Sequence, residues 1–215
     1  MEMIDQSPIL IAGPPRSGTV MLAGLLYYHG VWIGRSRTTH YPGTNPELGV
    51  ENLDIKDIMK REGFKVNYHN WTTPFPRQVL VNGHGVRKEI ETFVPEGQRW
   101  LVKTSWTLVF LEFWNEAYPN AFWILPKRSP QAILNSMNRH PGMRRHSDRE
   151  MKKFISALHE YQVEVRRLVK HSLFVDVKKV SQKDQKEIKA FFDFVNISMN
   201  KAKVDDWIQP EIMHG

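Results

Sequence analysis

The residues most suited to chemistry lie near the start of the chain, in Gly13-Pro-Pro-Arg-Ser-Gly-Thr19, directly after the apolar run Pro8-Ile-Leu-Ile-Ala12. A segment of this kind between a strand and a helix points successive backbone N–H groups and the positive helix end at one anion. Arg16 adds a cation inside the loop, and Ser17 and Thr19 add hydroxyl donors. Gly13 and Gly18 have the spacing of a G-x-x-x-x-G phosphate loop, yet Thr19 and Val20 stand where that motif carries Lys and then Ser or Thr. The lysine that bridges terminal phosphates and the hydroxyl that holds magnesium are missing at those places, so the loop suits a phosphate gripped without a metal. Two more apolar runs end in cations: Lys103 follows Arg99-Trp-Leu-Val102, and Lys127-Arg128 follow Phe122-Trp-Ile-Leu-Pro126. Ser136, eight residues beyond Arg128, adds a hydroxyl on the same side.

The elements that must position these groups alternate. A strand over 8–12, the loop, and a helix over Thr19 to His29 with Gly30 as its stop open the chain. Residues 31–46 read as a loop, Glu47 to Arg61 as a helix with an acidic start and basic end, and 62–98 show no clear periodicity. A strand over 99–102, a helix over 107–117, a strand over 121–125 and a helix from Pro130 through Arg139, capped by Ser129, follow. Phe154, Leu158, Tyr161, Val165 and Leu168 form one apolar face of a helix over 148–170. A strand over 173–175 and a last long helix, opened by Ser181 with Asp184, complete the pattern. Alternating strands and helices predict an α/β fold, a three-layer parallel sheet flanked by helices, with ligands bound beyond the carboxyl ends of the strands. Arg16, Lys103 and Arg128 then face one crevice. Aromatic residues at helical spacing, Trp106, Phe110, Phe113 and Trp114, belong to the core.

With 215 residues against the ~150 of a typical domain, the whole chain, 1–215, reads as one domain. Thirty Lys and Arg against 23 Asp and Glu leave a net charge of +7, which favours a polyanionic partner. No basic stripe interleaved with aromatic residues is visible, so no nucleic-acid partner is expected. The absence of cysteine excludes a disulfide scaffold, a thiol nucleophile and thiolate metal sites, and fits a reducing, cytoplasmic setting. The first ten residues, MEMIDQSPIL, carry two acids and no basic region, so no secretory signal is expected. The 18 uncharged residues between Arg16 and Arg35 are interrupted by Gly18, Gly24, Gly30 and Gly34, and read as a buried helix and turn, not a membrane span.

Together these residues resemble the sulfotransferases that use 3′-phosphoadenosine 5′-phosphosulfate (PAPS), whose P-loop NTPase-like fold carries a P-[KR]-S-G-T core. Pro15-Arg-Ser-Gly-Thr19 matches that core, and Phe122-Trp-Ile-Leu-Pro-Lys-Arg128-Ser-Pro130 with Ser136 matches the family's second segment, an apolar strand followed by R-x-P and a serine eight residues after the arginine. The resemblance implies that Arg16, Ser17, Gly18 and Thr19 hold the 5′-phosphosulfate, and that Arg128 and Ser136 hold the 3′-phosphate. It extends to Asn45-Pro-Glu-Leu-Gly-Val-Glu51-Asn52, similar to an acidic segment of bacterial and carbohydrate-type members, and to the ending Trp207-Ile-Gln-Pro-Glu-Ile-Met-His214. The implied reaction moves a sulfuryl group from PAPS to a hydroxyl or amine of an acceptor, with no metal.

Lys103 and Arg16 are the candidates for neutralising charge on the leaving phosphate and the transferring group. Cytosolic members place a catalytic histidine after the corresponding strand, where this chain reads Lys103-Thr-Ser105. Glu51 is the first alternative for the general base, with His40 and His84 behind it. The run from Arg139 to His146 is a candidate lid or acceptor rim. The alternative function is a kinase using ATP and magnesium, suggested by the glycine spacing and opposed by Thr19.

Overall fold

The computed structural model describes residues 7–36, 52–61, 83–104, 107–140, 143 and 146–209. Glu51, His40, Ser105, Trp106 and the pair Arg144 and Arg145 lie outside them. Strands β1 (Ile9–Ile11), β2 (Leu101–Lys103), β3 (Phe122–Lys127) and β4 (His171–Asp176) form one sheet in the order β2-β1-β3-β4. Every neighbouring pair is parallel, with Ile11 opposite both Lys103 and Ile124. Parallel strands need crossovers, and helices supply them on both faces.

The pleat divides the core in two. Leu10, Val102, Trp123 and Leu125 face a layer built from α2 (Leu53–Arg61), α3 (Gly83–Phe93), α4 (Leu111–Ala117), α5 (Pro130–Arg139) and α6 (Asp148–Leu168). Ile9, Ile11, Leu101, Phe122, Ile124 and Val175 face the other layer, made of α1 (Thr19–Tyr28), α7 (Val177–Ser181), α8 (Gln185–Phe194) and α9 (Lys201–Trp207). This is the expected three-layer α/β arrangement. Strands buried on both faces have no polar alternation to display, which is why they read as unbroken apolar runs. Phe110, Phe113 and Trp114 are buried in the first layer, as expected of core aromatics.

Several elements differ from the sequence reading. Helix α2 begins at Leu53, because Asn52 caps it by accepting the Ile55 amide at 3.1 Å. Helix α3 forms inside the stretch without clear periodicity, where among its described residues only Val86 and Ile90 are buried. The four residues before α4 form turns, so that helix starts at Leu111. The last long helix is divided: Ser181 ends α7, its hydroxyl donating to the Lys178 carbonyl, and Asp184 caps α8 by accepting the Glu187 amide. Helix α9 has no counterpart in the sequence reading. It packs on α1 through Trp207, whose indole donates to the Met21 carbonyl at 2.8 Å. A Cβ at Gly24 would fall 2.0 Å from the Trp207 ring, so only glycine permits this approach. Among the described residues no helix is long and apolar enough to cross a membrane.

Candidate active site at the carboxyl ends of the strands

The loop after β1 is held in an unusual backbone. Arg16 has φ 65° and Gly18 φ 93°, both in the left-handed region. The Ser17 amide donates to the Pro14 carbonyl at 3.1 Å, closing a turn that delivers the chain into α1 at Thr19. Gly18 carries two constraints, since a Cβ there would also sit 2.4 Å from Val177 Cγ1 at the start of α7. The Ser17 hydroxyl is buried and lacks a hydrogen-bond partner among the described residues. Thr19 is likewise buried, as the first residue of α1.

The second cationic segment meets this loop directly. Arg128, just past β3, donates from Nη1 to the Arg16 carbonyl at 2.8 Å. Arg16 in turn donates from Nε to the hydroxyl of Ser136, on α5, at 3.1 Å. Ser129 caps α5 by accepting the Ala132 amide, and Pro130 fills the first turn, as its sequence suggested. Groups 120 and 112 positions apart in the chain are thereby joined into one cluster. Lys103 ends β2 beside β1 and is half-buried. His84 lies exposed at the start of α3.

Electrostatically the cluster is one-signed. Burial lowers the proton affinity of the Arg16 guanidinium, and the charge of Arg139 lowers it further. Arg128 is lowered by burial and then by Arg16 and Arg139. His140 is pushed below its ordinary value by burial and by Arg16. Partly buried cations that depress one another make this crevice a candidate anion site.

Gln162 is a site residue that the sequence reading missed. It lies on the buried face of α6, 2% exposed, and its amide donates to the Ala12 carbonyl at 3.0 Å and to the Pro126 carbonyl at 3.2 Å. One side chain thus ties the end of β1, where the loop begins, to the end of β3, where Arg128 follows. A signal was present: Leu158, Gln162 and Val165 follow the helical 4,3 spacing, so a polar residue interrupts the apolar stripe. Leu168, assigned to that stripe from its spacing, is 53% exposed.

Beside the cluster opens a cavity of about 940 Å³. Gly18, Met21, Arg128, Ser129, Phe174 and Val177 are among the residues that line it. The Arg166 guanidinium lies 5.5 Å from the Phe174 ring centroid. Among the described residues Asp176 is the one carboxylate lining this space, and it is engaged in capping α7 by accepting the Lys178 and Lys179 amides.

The fold has known counterparts. The sulfotransferase domain from the curacin biosynthetic pathway superposes with a TM-score of 0.63 at 13% identity, covering 98% of this chain and 81% of that one. The sulfotransferase domain of the Synechococcus PCC 7002 olefin synthase gives 0.58 at 15%, covering 94% and 78%. Sulfotransferase STF9 from Mycobacterium avium gives 0.58 at 13%, covering 95% and 68%. At these identities the likeness is one of fold. No curated protein matches the sequence at a significant level. The model of the family described as "Sulfotransferase family" matches residues 8–182, a span that runs from β1 through α7 and contains the whole Arg16, Arg128 and Ser136 cluster. This chain belongs to the sulfotransferase family and is a transferase.

Proposed function

We propose that this protein transfers a sulfuryl group from PAPS to a hydroxyl or amine acceptor. One observation carries the reading: Arg16, Ser136 and Arg128, drawn from a loop, a helix and a strand end, are joined by two hydrogen bonds, while no ion pair among the described residues engages either guanidinium. Partly buried charges left without counter-charges are costly, and a polyanion removes that cost. The buried Ser17 hydroxyl adds a donor that awaits an acceptor.

In this assignment the backbone from Arg16 to Thr19, with the Arg16 side chain and the Ser17 hydroxyl, holds the 5′-phosphosulfate. Arg128 and Ser136 hold the 3′-phosphate, and the cavity between Met21 and Phe174 takes the nucleoside. PAPS supplies an activated sulfuryl group: the acceptor lone pair forms the new bond to sulfur as the bridging oxygen leaves with adenosine bisphosphate. The chain supplies position and fixed positive charge, which lower the barrier most when no covalent intermediate is needed. Lys103 and Arg16 offset the charge that gathers on the leaving phosphate. Glu51 is the proposed acceptor of the proton.

Titration calorimetry with 3′-phosphoadenosine 5′-phosphate and with ATP, each with and without magnesium, tests the donor assignment. The expected result is metal-independent binding of the bisphosphate, abolished by Arg128→Ala. A magnesium-dependent preference for ATP would replace this reading with a kinase.

A further inference from the structure

Helix α5 ends in Arg139, with His140 as its capping residue, three and four positions beyond Ser136. That spacing returns to the same side of a helix, so both groups share the face that carries the Ser136 hydroxyl. The hydroxyl accepts from Arg16 at 3.1 Å, and Arg128 reaches the Arg16 carbonyl at 2.8 Å. Arg139 therefore shares the helix side that meets Arg16 through Ser136, and its charge adds to burial in lowering the proton affinity of Arg16 and Arg128.

Several exposed cations elsewhere pair with carboxylates. Arg35 pairs with Asp54 and Asp57, Arg87 with Glu91, and Lys201 with Asp205. Among the described residues no such pair includes Arg139, Arg16 or Arg128. The sequence places no Asp or Glu from Ser129 through Ser147, and Asp148, which follows, accepts from the Asn138 amide at 3.0 Å. The negative end of the α5 dipole offsets part of the repulsion on Arg139. Arg139 is exposed, so water screens part of the remainder, and an anion held beside the three guanidiniums relieves the rest.

We infer that Arg139 is a third guanidinium for the phosphate held by Arg128 and Ser136, which is the 3′-phosphate under the function proposed above, on which this inference rests. The segment from Arg139 to His146 is thereby divided in role: its first residue serves the donor side. One helix supplies the Ser136 hydroxyl and the Arg139 charge to the same anion, one turn apart. The charge of Arg139 makes the empty site less stable and the filled site tighter.

Calorimetric titration of the unsubstituted protein, Arg139→Gln and Arg139→Lys with 3′-phosphoadenosine 5′-phosphate and with adenosine 5′-phosphate tests this. Arg139→Gln is expected to weaken the bisphosphate by about tenfold to a hundredfold, the range of a charged hydrogen bond, and the monophosphate by less than about threefold. Arg139→Lys recovers part of the loss, since an ammonium keeps the charge without the planar fork. The ligand-free melting temperature of Arg139→Gln stays level or rises, whereas a structural role would lower it. Unchanged bisphosphate affinity, or equal losses for the two nucleotides, overturns the inference while leaving the donor assignment in place. If the unsubstituted protein binds neither nucleotide, both fall together.

Discussion

Replacing Gln162 by Met keeps the length and volume of the side chain and removes its two donated hydrogen bonds. The amide is 2% exposed and reaches the carbonyls of Ala12 and Pro126 at 3.0 and 3.2 Å. Each buried acceptor deprived of its donor costs about 1–3 kcal/mol, so the pair costs about 3 kcal/mol if each falls near the middle of the lower half of that range. For a chain of this size about 1 kcal/mol corresponds to roughly 2–4 °C in melting temperature, so Gln162→Met is expected to melt about 6–12 °C lower by scanning calorimetry. The same two carbonyls mark where the Gly13–Thr19 loop leaves β1 and where the Arg128 segment leaves β3. Bisphosphate affinity should therefore fall even at temperatures where the variant is folded. Gln162→Glu sharpens the test, because a buried carboxylate facing two carbonyls is worse than a thioether at neutral pH. Acidification protonates it, restores one donor and recovers stability. A melting temperature for Gln162→Met within about 1 °C of the unsubstituted protein would refute the claim that this amide holds the two strand ends together.

Gly18→Ala imposes a side chain on φ 93° and places its Cβ 2.4 Å from Val177 Cγ1. The backbone strain costs about 1–3 kcal/mol and the overpacking about 1–3 kcal/mol; urea denaturation should show that adding Val177→Ala recovers only the packing part. His140 and His159 are both held below the ordinary 6.5, chiefly by burial. The unfolded chain then binds more protons than the folded one below that pH, so their contribution is complete above pH 6.5 and is lost as pH falls through their folded values. Urea midpoints should drop between pH 7 and pH 5.5, and His159→Asn should flatten that slope; a flat profile for the unsubstituted protein would contradict the burial of neutral imidazoles.

The loop, the two strands that bear Arg16 and Arg128, and helix α5 were legible because local rules write them. Ser129 before Pro130 is a cap before a first-turn proline, and the structure uses both so. Doubly buried strands leave apolar runs of the right length. Helix α3 was illegible because Val86 and Ile90 are its only buried residues among those described, too few to set a period. The division of the last helix was illegible because Ser181 and Asp184 both satisfy a capping pattern, and only packing of Val177 against Gly18 and of Ile188 into the core selects two helices with Asp184 as the cap.

By itself the sequence determined the chemistry on offer: a loop with the glycine spacing of a phosphate loop but without its lysine, two cationic strand ends, and a serine on a helix, in an α/β frame. Those are properties of neighbouring residues and of period. Only the tertiary structure decided which of these groups meet. Arg16 finds Ser136 across 120 positions and Gln162 finds Ala12 across 150, because β1 and β3 are adjacent in the sheet. The physical reason is that hydrogen bonds and charge act over a few ångströms of space, and the order of strands in the sheet, which no local pattern encodes, sets those distances.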